Sequence, residues 1–192
     1  MKFTYYLDGA GWATCIFEIN GQKLEFTASY LSDCLSDFLQ SLMLLNPLCV
    51  PRDEARRETE CEWEGEPDGI IWSFALKENN RLNIIADYYE DEHNKEKTTT
   101  MINTEYLYDD FLRTVLKEID ALIKRHGIVG YREEWDEFDF PLSTFLILKH
   151  TIIHKQKYPV IEAQGEFDIE TRSELAYDLE LLLEEIKDSS VE

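Results

Sequence analysis

The sequence contains no hydrophobic run long enough to cross a membrane as a helix. Its longest apolar stretches, Leu42–Leu45 and Phe145–Leu148, are far shorter than the roughly 18 residues that a spanning helix needs. The N-terminal residues also lack the apolar segment of a signal peptide. We therefore expect a cytoplasmic protein that does not enter a membrane.

Motifs of catalysis and cofactor binding are absent as well. There is no GxGxxG, no phosphate-binding GxxxxGK[ST] and no GxSxG elbow. His150 and His154 have the spacing of two zinc ligands, but Thr151 stands where HExxH has its general base. We predict neither a metal nor a cofactor, and we favour a function other than catalysis. An active site assembled from distant residues stays open.

Cysteine is scarce and unpatterned. Cys15, Cys34, Cys49 and Cys61 form no CxxC pair and no known nucleophile signature. A chain of 192 residues builds a core without disulfides, so we predict four free and mostly buried thiols.

Basic residues are few. Lys and Arg number 19 against 40 Asp and Glu, which gives a net charge of −21. The charge is spread along the chain: −3 over residues 1–50, −7 over 51–100 and −11 over 101–192. Such acidity argues against nucleic-acid and anionic-membrane partners, because phosphates are repelled. It favours association with a basic protein, although solubility alone also explains it.

Alternating hydrophobicity predicts strands in the first half of the chain. Asn20–Gly21 is a strong hairpin signal, and Gly9–Ala10–Gly11 predicts a tight turn. A helix is predicted from the Ser32 N-cap to Leu45, where Asn46–Pro47 ends it. The predicted strands are 2–7, 12–19, 23–30, 58–64, 70–76, 81–89 and 98–103.

The later residues favour helices. One is predicted from about Thr104 to Gly127, followed by an irregular segment at 128–139. Residues 142–154 fit either a helix that begins after Pro141 or a strand. Residues 158–165 are predicted as a loop. A last helix is predicted to open with a Thr171–Glu174 capping box. Its predicted buried face is Leu175, Leu179, Leu182 and Ile186.

The order of these elements predicts an α+β fold. We expect an antiparallel β-sheet of about six or seven strands, with helices packed on one face and a helical C-terminal region. Residues 1–192 are expected to form a single domain, with a helical extension from about residue 128 as an alternative.

Two acidic segments are candidates for a partner-binding surface. The first is the strand 58–64, whose one face carries four like charges: Glu58, Glu60, Glu62 and Glu64. The second places acids around two aromatic rings, which suits an anchor and rim for a basic protein patch. Its candidate binding residues are Glu133, Glu134, Trp135, Asp136, Glu137 and Asp139. The alternatives are a solvated edge strand for the first, and inward-facing Trp135 and Phe138 for the second.

Several short segments carry a family resemblance. They are Gly9–Ala13, Ser29–Asp33 with Leu35 and Phe38–Leu39, Glu66–Pro67 with Trp72, Gly130–Tyr131 with Trp135, and Phe140–Pro141. These segments resemble a family of uncharacterised bacterial proteins, some of which occur with toxin–immunity systems. The resemblance covers residues 9–141 and transfers no catalytic residue. It implies a small bacterial α+β protein of the immunity-protein kind.

Three hypotheses follow for function. The first is a non-enzymatic acidic protein that neutralises a basic protein partner, such as a toxin domain. The second is an enzyme or small-ligand-binding protein with a pocket between sheet and helices. The third is a structural or regulatory protein whose acidity provides only solubility. The oligomeric state is left open.

Overall fold

The strands form three antiparallel sheets in the computed structural model, which describes residues 1–165 and 169–187. The first sheet has the order β1-β2-β3, the second β4-β5-β6-β7, and the third is the hairpin β8-β9. Their bounds are β1 Lys2–Gly9, β2 Trp12–Ile19, β3 Gln22–Ser29, β4 Glu58–Glu64, β5 Gly69–Leu76, β6 Arg81–Tyr89, β7 Thr98–Leu107, β8 Ile161–Gln164 and β9 Ile169–Arg172.

Four α-helices accompany these strands within the described ranges. They are α1 Cys34–Leu44, α2 Tyr108–Trp135, α3 Leu142–His154 and α4 Leu175–Leu183. The α+β class and the antiparallel sheets are therefore confirmed. All four cysteines are free, as predicted.

The prediction of one sheet of six or seven strands is wrong, because β3 crosses the second sheet and does not join it. At one end of β3, Gln22 Nε2 donates to the Asn103 carbonyl of β7 at 3.1 Å. At the other end, Ser29 Oγ donates to the Glu64 carbonyl of β4 at 3.3 Å. Since β4 and β7 are opposite edges of the four-stranded sheet, β3 runs from one edge to the other.

The two larger sheets and the first two helices share one hydrophobic core. Phe38 of α1 stacks on Phe3 of the first sheet at 5.8 Å and meets Trp72 of the second at 5.3 Å. Phe111 of α2 lies 5.9 Å from Phe17 of β2. The buried apolar side chains form one cluster that extends along the sequence from Phe3 to Ile186.

The second helix differs from its prediction at both ends. Strand β7 continues to Leu107, so α2 begins at Tyr108. Gly127 does interrupt the helix, with φ of 71°, but the chain resumes a helical course as far as Trp135. The prediction of an irregular 128–139 is therefore wrong in its first part. Tyr131 and Trp135, one turn apart, are both fully buried and hold this segment on the core.

Residues 142–154 are helical, which settles the alternative left open by the pattern. Phe145, Leu148 and Ile152 share one face of α3 and are buried. The loop predicted at 158–165 contains strand β8, which pairs with β9. Thr171 lies in β9 and caps no helix, because α4 begins after Glu174 without a side-chain cap.

Candidate functional site

The acidic strand 58–64 is an edge strand, as its alternation indicates. Thr59, Cys61 and Trp63 point into the core, and the four glutamates point outward from β4. The edge is partly occupied by α1, where Thr59 Oγ1 donates to the Ser41 carbonyl at 3.1 Å. The outer face of this sheet is therefore acidic at β4.

Two of the four glutamates on β4 already have a cationic partner, and Glu60 accepts from the Ser73 hydroxyl at 3.3 Å. Glu62 accepts from Lys95 Nζ at 2.6 Å and from the Tyr89 hydroxyl at 2.5 Å. Lys95 also lies 3.5 Å from Glu64. The local charge is thus partly neutralised, and Glu58 and Glu60 are the exposed acids that remain.

The second acidic segment has the structure of the alternative stated for it, in which Trp135 and Phe138 face inward and the acids stay exposed. Trp135 is fully buried, so it is not available as an anchor for a partner; Phe138 is half-buried against the core. The rings face inward because α2 extends to Trp135 and packs it beneath the acids. Asp139 pairs with the exposed Arg132 at 3.1 Å. The exposed carboxylates of the segment are Glu133, Glu134, Asp136, Glu137 and Asp139.

A large concave site lies directly beside this second segment. It is an apolar groove of about 760 Å³ between α3, the β8–β9 hairpin and α4, called here the C-terminal groove. Asp139 and Asp33 line the groove together with a row of apolar side chains. These are Leu142, Leu146, Ile147, Val160, Leu175 and Leu179.

One wall of the C-terminal groove consists of leucines that sequence reasoning placed in the core. Leu175 is 70% exposed and Leu179 is 51% exposed, so the predicted buried face of α4 is wrong for these two residues. Leu182 is half-buried and Ile186 is buried; Leu181 supplies the contact that the pattern did not indicate. Exposed leucines one turn apart form a row of apolar surface that no side chain among residues 1–165 and 169–187 covers.

Polar contacts at the C-terminal end of α4, and just after it, hold the helix against α2 and α3. Lys149 Nζ, fully buried, donates to Asp120 at 2.6 Å and to the Glu184 carbonyl at 2.5 Å. Lys124 donates to Asp120 at 2.7 Å and to the same carbonyl at 3.1 Å. Arg113 donates to the Lys187 carbonyl at 3.0 Å. Cations at the C-terminal end of a helix are favourable, so α2 and α3 hold α4 by its carbonyl groups.

The start of α4 is held by side chains around the groove. Asp178 accepts from the hydroxyl groups of Tyr158 at 2.6 Å and Ser173 at 2.8 Å. His150 Nδ1 lies 2.7 Å from the Tyr177 hydroxyl. Burial lowers the pKa of His150, and the neighbouring His154 adds to the effect. His150 therefore has a packing role, with its ring against Tyr158 and Tyr177.

Asp33 is an unusual carboxylate in the lining of the C-terminal groove. Its Oδ1 atom is buried without a hydrogen-bond partner among the described residues. Burial raises the pKa of the carboxyl to about 6, Asp37 and Asp139 add to the rise, and Ser36 offsets it only in part. A partly buried carboxylate that must ionise near neutral pH lowers the stability of the fold. A cation placed beside it would restore the lost stability.

Asp33→Asn is expected to stabilise the protein at pH 7.5 and to change little at pH 4. The folded pKa of about 6 lies above the unfolded value of about 3.9. Protonated Asp33 therefore makes its full contribution to the free energy of unfolding below about pH 3.9, and this contribution is lost as the pH rises through 6. Since the group is half-exposed, solvent screening limits the gain to about 1 kcal/mol. Asn caps helices as well as Asp does.

Urea unfolding at the two pH values measures this gain. Asp53→Asn, on an exposed loop, is the control and should stay within about 0.5 kcal/mol of the parent at both. If Asp33→Asn and the parent were equally stable at pH 7.5, the Asp33 carboxylate would not be destabilising, contrary to this prediction.

Within residues 1–165 and 169–187, no group of three or more His, Cys, Asp or Glu side chains is arranged to hold a metal ion. Over the same residues, no helix combines the length and apolarity needed to span a membrane.

The C-terminal groove was not visible in the sequence as a site. Asp33 precedes α1 and Asp139 follows α2, and only the folded chain brings both into the lining of one groove. Asp139 was the one predicted binding residue that also lines the groove. Comparison of the chain with protein-family models, curated proteins and solved structures found no match.

Proposed function

We propose that this protein binds a basic protein partner through the C-terminal groove and its acidic rim, and neutralises that partner as an immunity protein does. The observation that carries the proposal is the combination of exposed apolar surface with carboxylates at one site. Binding surfaces of this kind place apolar contacts at the centre and charge at the rim.

The charge around the groove supports a cationic partner. The described residues that line it include three carboxylates, Asp33, Asp139 and Asp178, and one cation, Arg172; Asp139 also pairs with Arg132 at 3.1 Å. Four more exposed acids lie within the six residues before Asp139 in the chain. An acidic rim draws a basic partner into contact and speeds association.

The outer face of β4 is a weaker candidate for the same role. Glu62 and Glu64 are already paired with Lys95. The concave surface beside Glu58 and Glu60 is smaller, about 580 Å³. Glu58, Glu60, Glu62 and Glu64 therefore remain an alternative binding surface within the proposal.

A small-ligand or enzymatic role is supported by one observation. The groove falls within the size range of small-molecule sites, roughly 300–1,000 Å³, and contains an acid of raised pKa in Asp33. It lies between the small β8–β9 sheet and the helices α3 and α4, and its lining includes no residue of the two larger sheets. Its exposed leucine wall fits a macromolecular surface better than an enclosed ligand.

Purification with the products of neighbouring genes tests the proposal. We expect a basic partner to co-purify, with an affinity that falls at least about tenfold between 50 and 300 mM salt. Glu133→Gln, Glu137→Gln and Asp139→Asn together should weaken binding by at least tenfold. A variant with the same net charge, Asp53→Asn, Glu54→Gln and Glu78→Gln, is the matched control and should bind within twofold. Absence of a basic partner, or binding indifferent to salt, would contradict the proposal.

A further inference from the structure

The C-terminal groove has walls that suit one class of ligand. Leu146 and Ile147 of α3 face the groove from one side, and Leu175 and Leu179 of α4 from the other. We propose, on the basis of the proposed function, that the partner binds through an amphipathic α-helix. This helix fills the C-terminal groove and places Arg or Lys beside Asp33 and Asp139.

The dimensions of the groove favour a helix. About 760 Å³ accommodates about four large apolar side chains. Two turns of an amphipathic helix present that number, at positions i, i+3, i+4 and i+7. Leu175 and Leu179 are themselves one turn apart, which gives the wall the spacing of a helical ridge.

The charges select a cationic helix over a second copy of this chain. Each copy carries a net charge of −21, and Asp33, Asp139 and Asp178 of two copies would be brought together. Asp33 is partly exposed and lines the groove, whereas its Oδ1 is buried and lacks a hydrogen-bond partner within the described residues; a guanidinium or ammonium group beside the exposed part of Asp33 therefore gains an ion pair and offsets the buried charge. One end of the partner's helix would face Asp33 and Asp139. An Arg or Lys at that end would lie close to both carboxylates.

Synthetic peptides test the inference on the full-length protein. The probe is a fluorescein-labelled peptide of 14 residues with Leu at positions i, i+3, i+4 and i+7 and Arg at the remaining exposed positions. One control replaces two central residues with Pro, which prevents a helix. The other replaces each Arg with Glu. We expect micromolar binding of the probe by fluorescence anisotropy, and at least tenfold weaker binding of both controls.

Variants of the protein locate the binding. Leu179→Ser changes an exposed side chain and is expected to weaken probe binding at least fivefold; Asp139→Asn is expected to weaken it about threefold or more. Val129→Ser, 74% exposed, and Glu58→Gln are the matched controls and should bind as the parent does. Circular dichroism spectra establish that each variant is folded.

Several results would overturn the inference. Equal binding of the Pro-containing peptide excludes a helix, and equal binding of the Glu-containing peptide excludes charge selection. Unchanged binding by Leu179→Ser places the ligand elsewhere. If light scattering detects a dimer of the parent protein and Leu179→Ser abolishes it, the groove is occupied by a second copy of this chain. If a basic partner protein binds tightly but none of the peptides binds, the helical ligand is contradicted and the proposed function is retained.

Discussion

Lys149→Met is expected to lower the free energy of unfolding by about 3–5 kcal/mol, the largest effect of any single polar substitution proposed here. Lys149 is fully buried, and its ammonium group bonds to the Asp120 carboxylate and to two carbonyls near the end of α4. Met preserves the length of the side chain and removes the charge. Among the described residues, Asp120 is then left with the partly exposed Lys124 as its cationic partner.

Urea unfolding measures this loss, and amide exchange in α4 shows where it acts. Exchange across Leu175–Leu183 should accelerate most, because Lys149 connects that helix to α3. Lys124→Met is the matched control and should cost about 1 kcal/mol or less. Adding Asp120→Asn to Lys149→Met should cost less than the two single changes summed, since the unpaired carboxylate is removed. A loss below 1 kcal/mol for Lys149→Met would contradict the polar attachment of α4.

Trp135→Ala is expected to cost about 3–5 kcal/mol of stability, as for other buried aromatic side chains. The indole is fully buried at the end of α2, and Tyr131, one turn before, packs edge-on against Phe140 at 5.3 Å. The change leaves a large cavity beneath the acids that rim the C-terminal groove.

Thermal or urea unfolding of Trp135→Ala distinguishes a core residue from a surface anchor. Val129→Ala on the same helix, 74% exposed, is the control and should change stability by about 0.5 kcal/mol or less. A Trp135→Ala protein of parental stability that loses only partner binding would restore the surface-anchor interpretation.

The first half of the fold follows from local patterns. Asn20 with φ of 48° and Gly21 with φ of 78° form the turn that their residue types predict. The alternation of 58–64 identifies both the strand and its outward glutamates, because each position depends only on its neighbours. The division into separate sheets does not follow from such patterns, since it depends on where β3 meets β7 and β4.

The C-terminal region was harder to predict for a physical reason. The C-terminal end of α4 and the residues after it are held by Lys149, Lys124 and Arg113, which are distant in sequence from the carbonyls that they bind. Hydrophobic periodicity alone placed Leu175 and Leu179 inside. Trp135 shows the converse case. Its acidic neighbours suggested a surface position, whereas the spacing of four from Tyr131 was the signal for a buried helical face.

The central claim, that the C-terminal groove and not the acidic face of β4 receives a basic partner, is tested most directly by NMR. Titration of the ¹⁵N-labelled protein with the Arg-containing helical peptide should shift amide signals of Asp139–Ile147 and of Leu175–Leu182, and leave Glu58 and Glu60 unchanged. Shifts concentrated at Glu58–Glu64, with α3 and α4 unaffected, would contradict the claim.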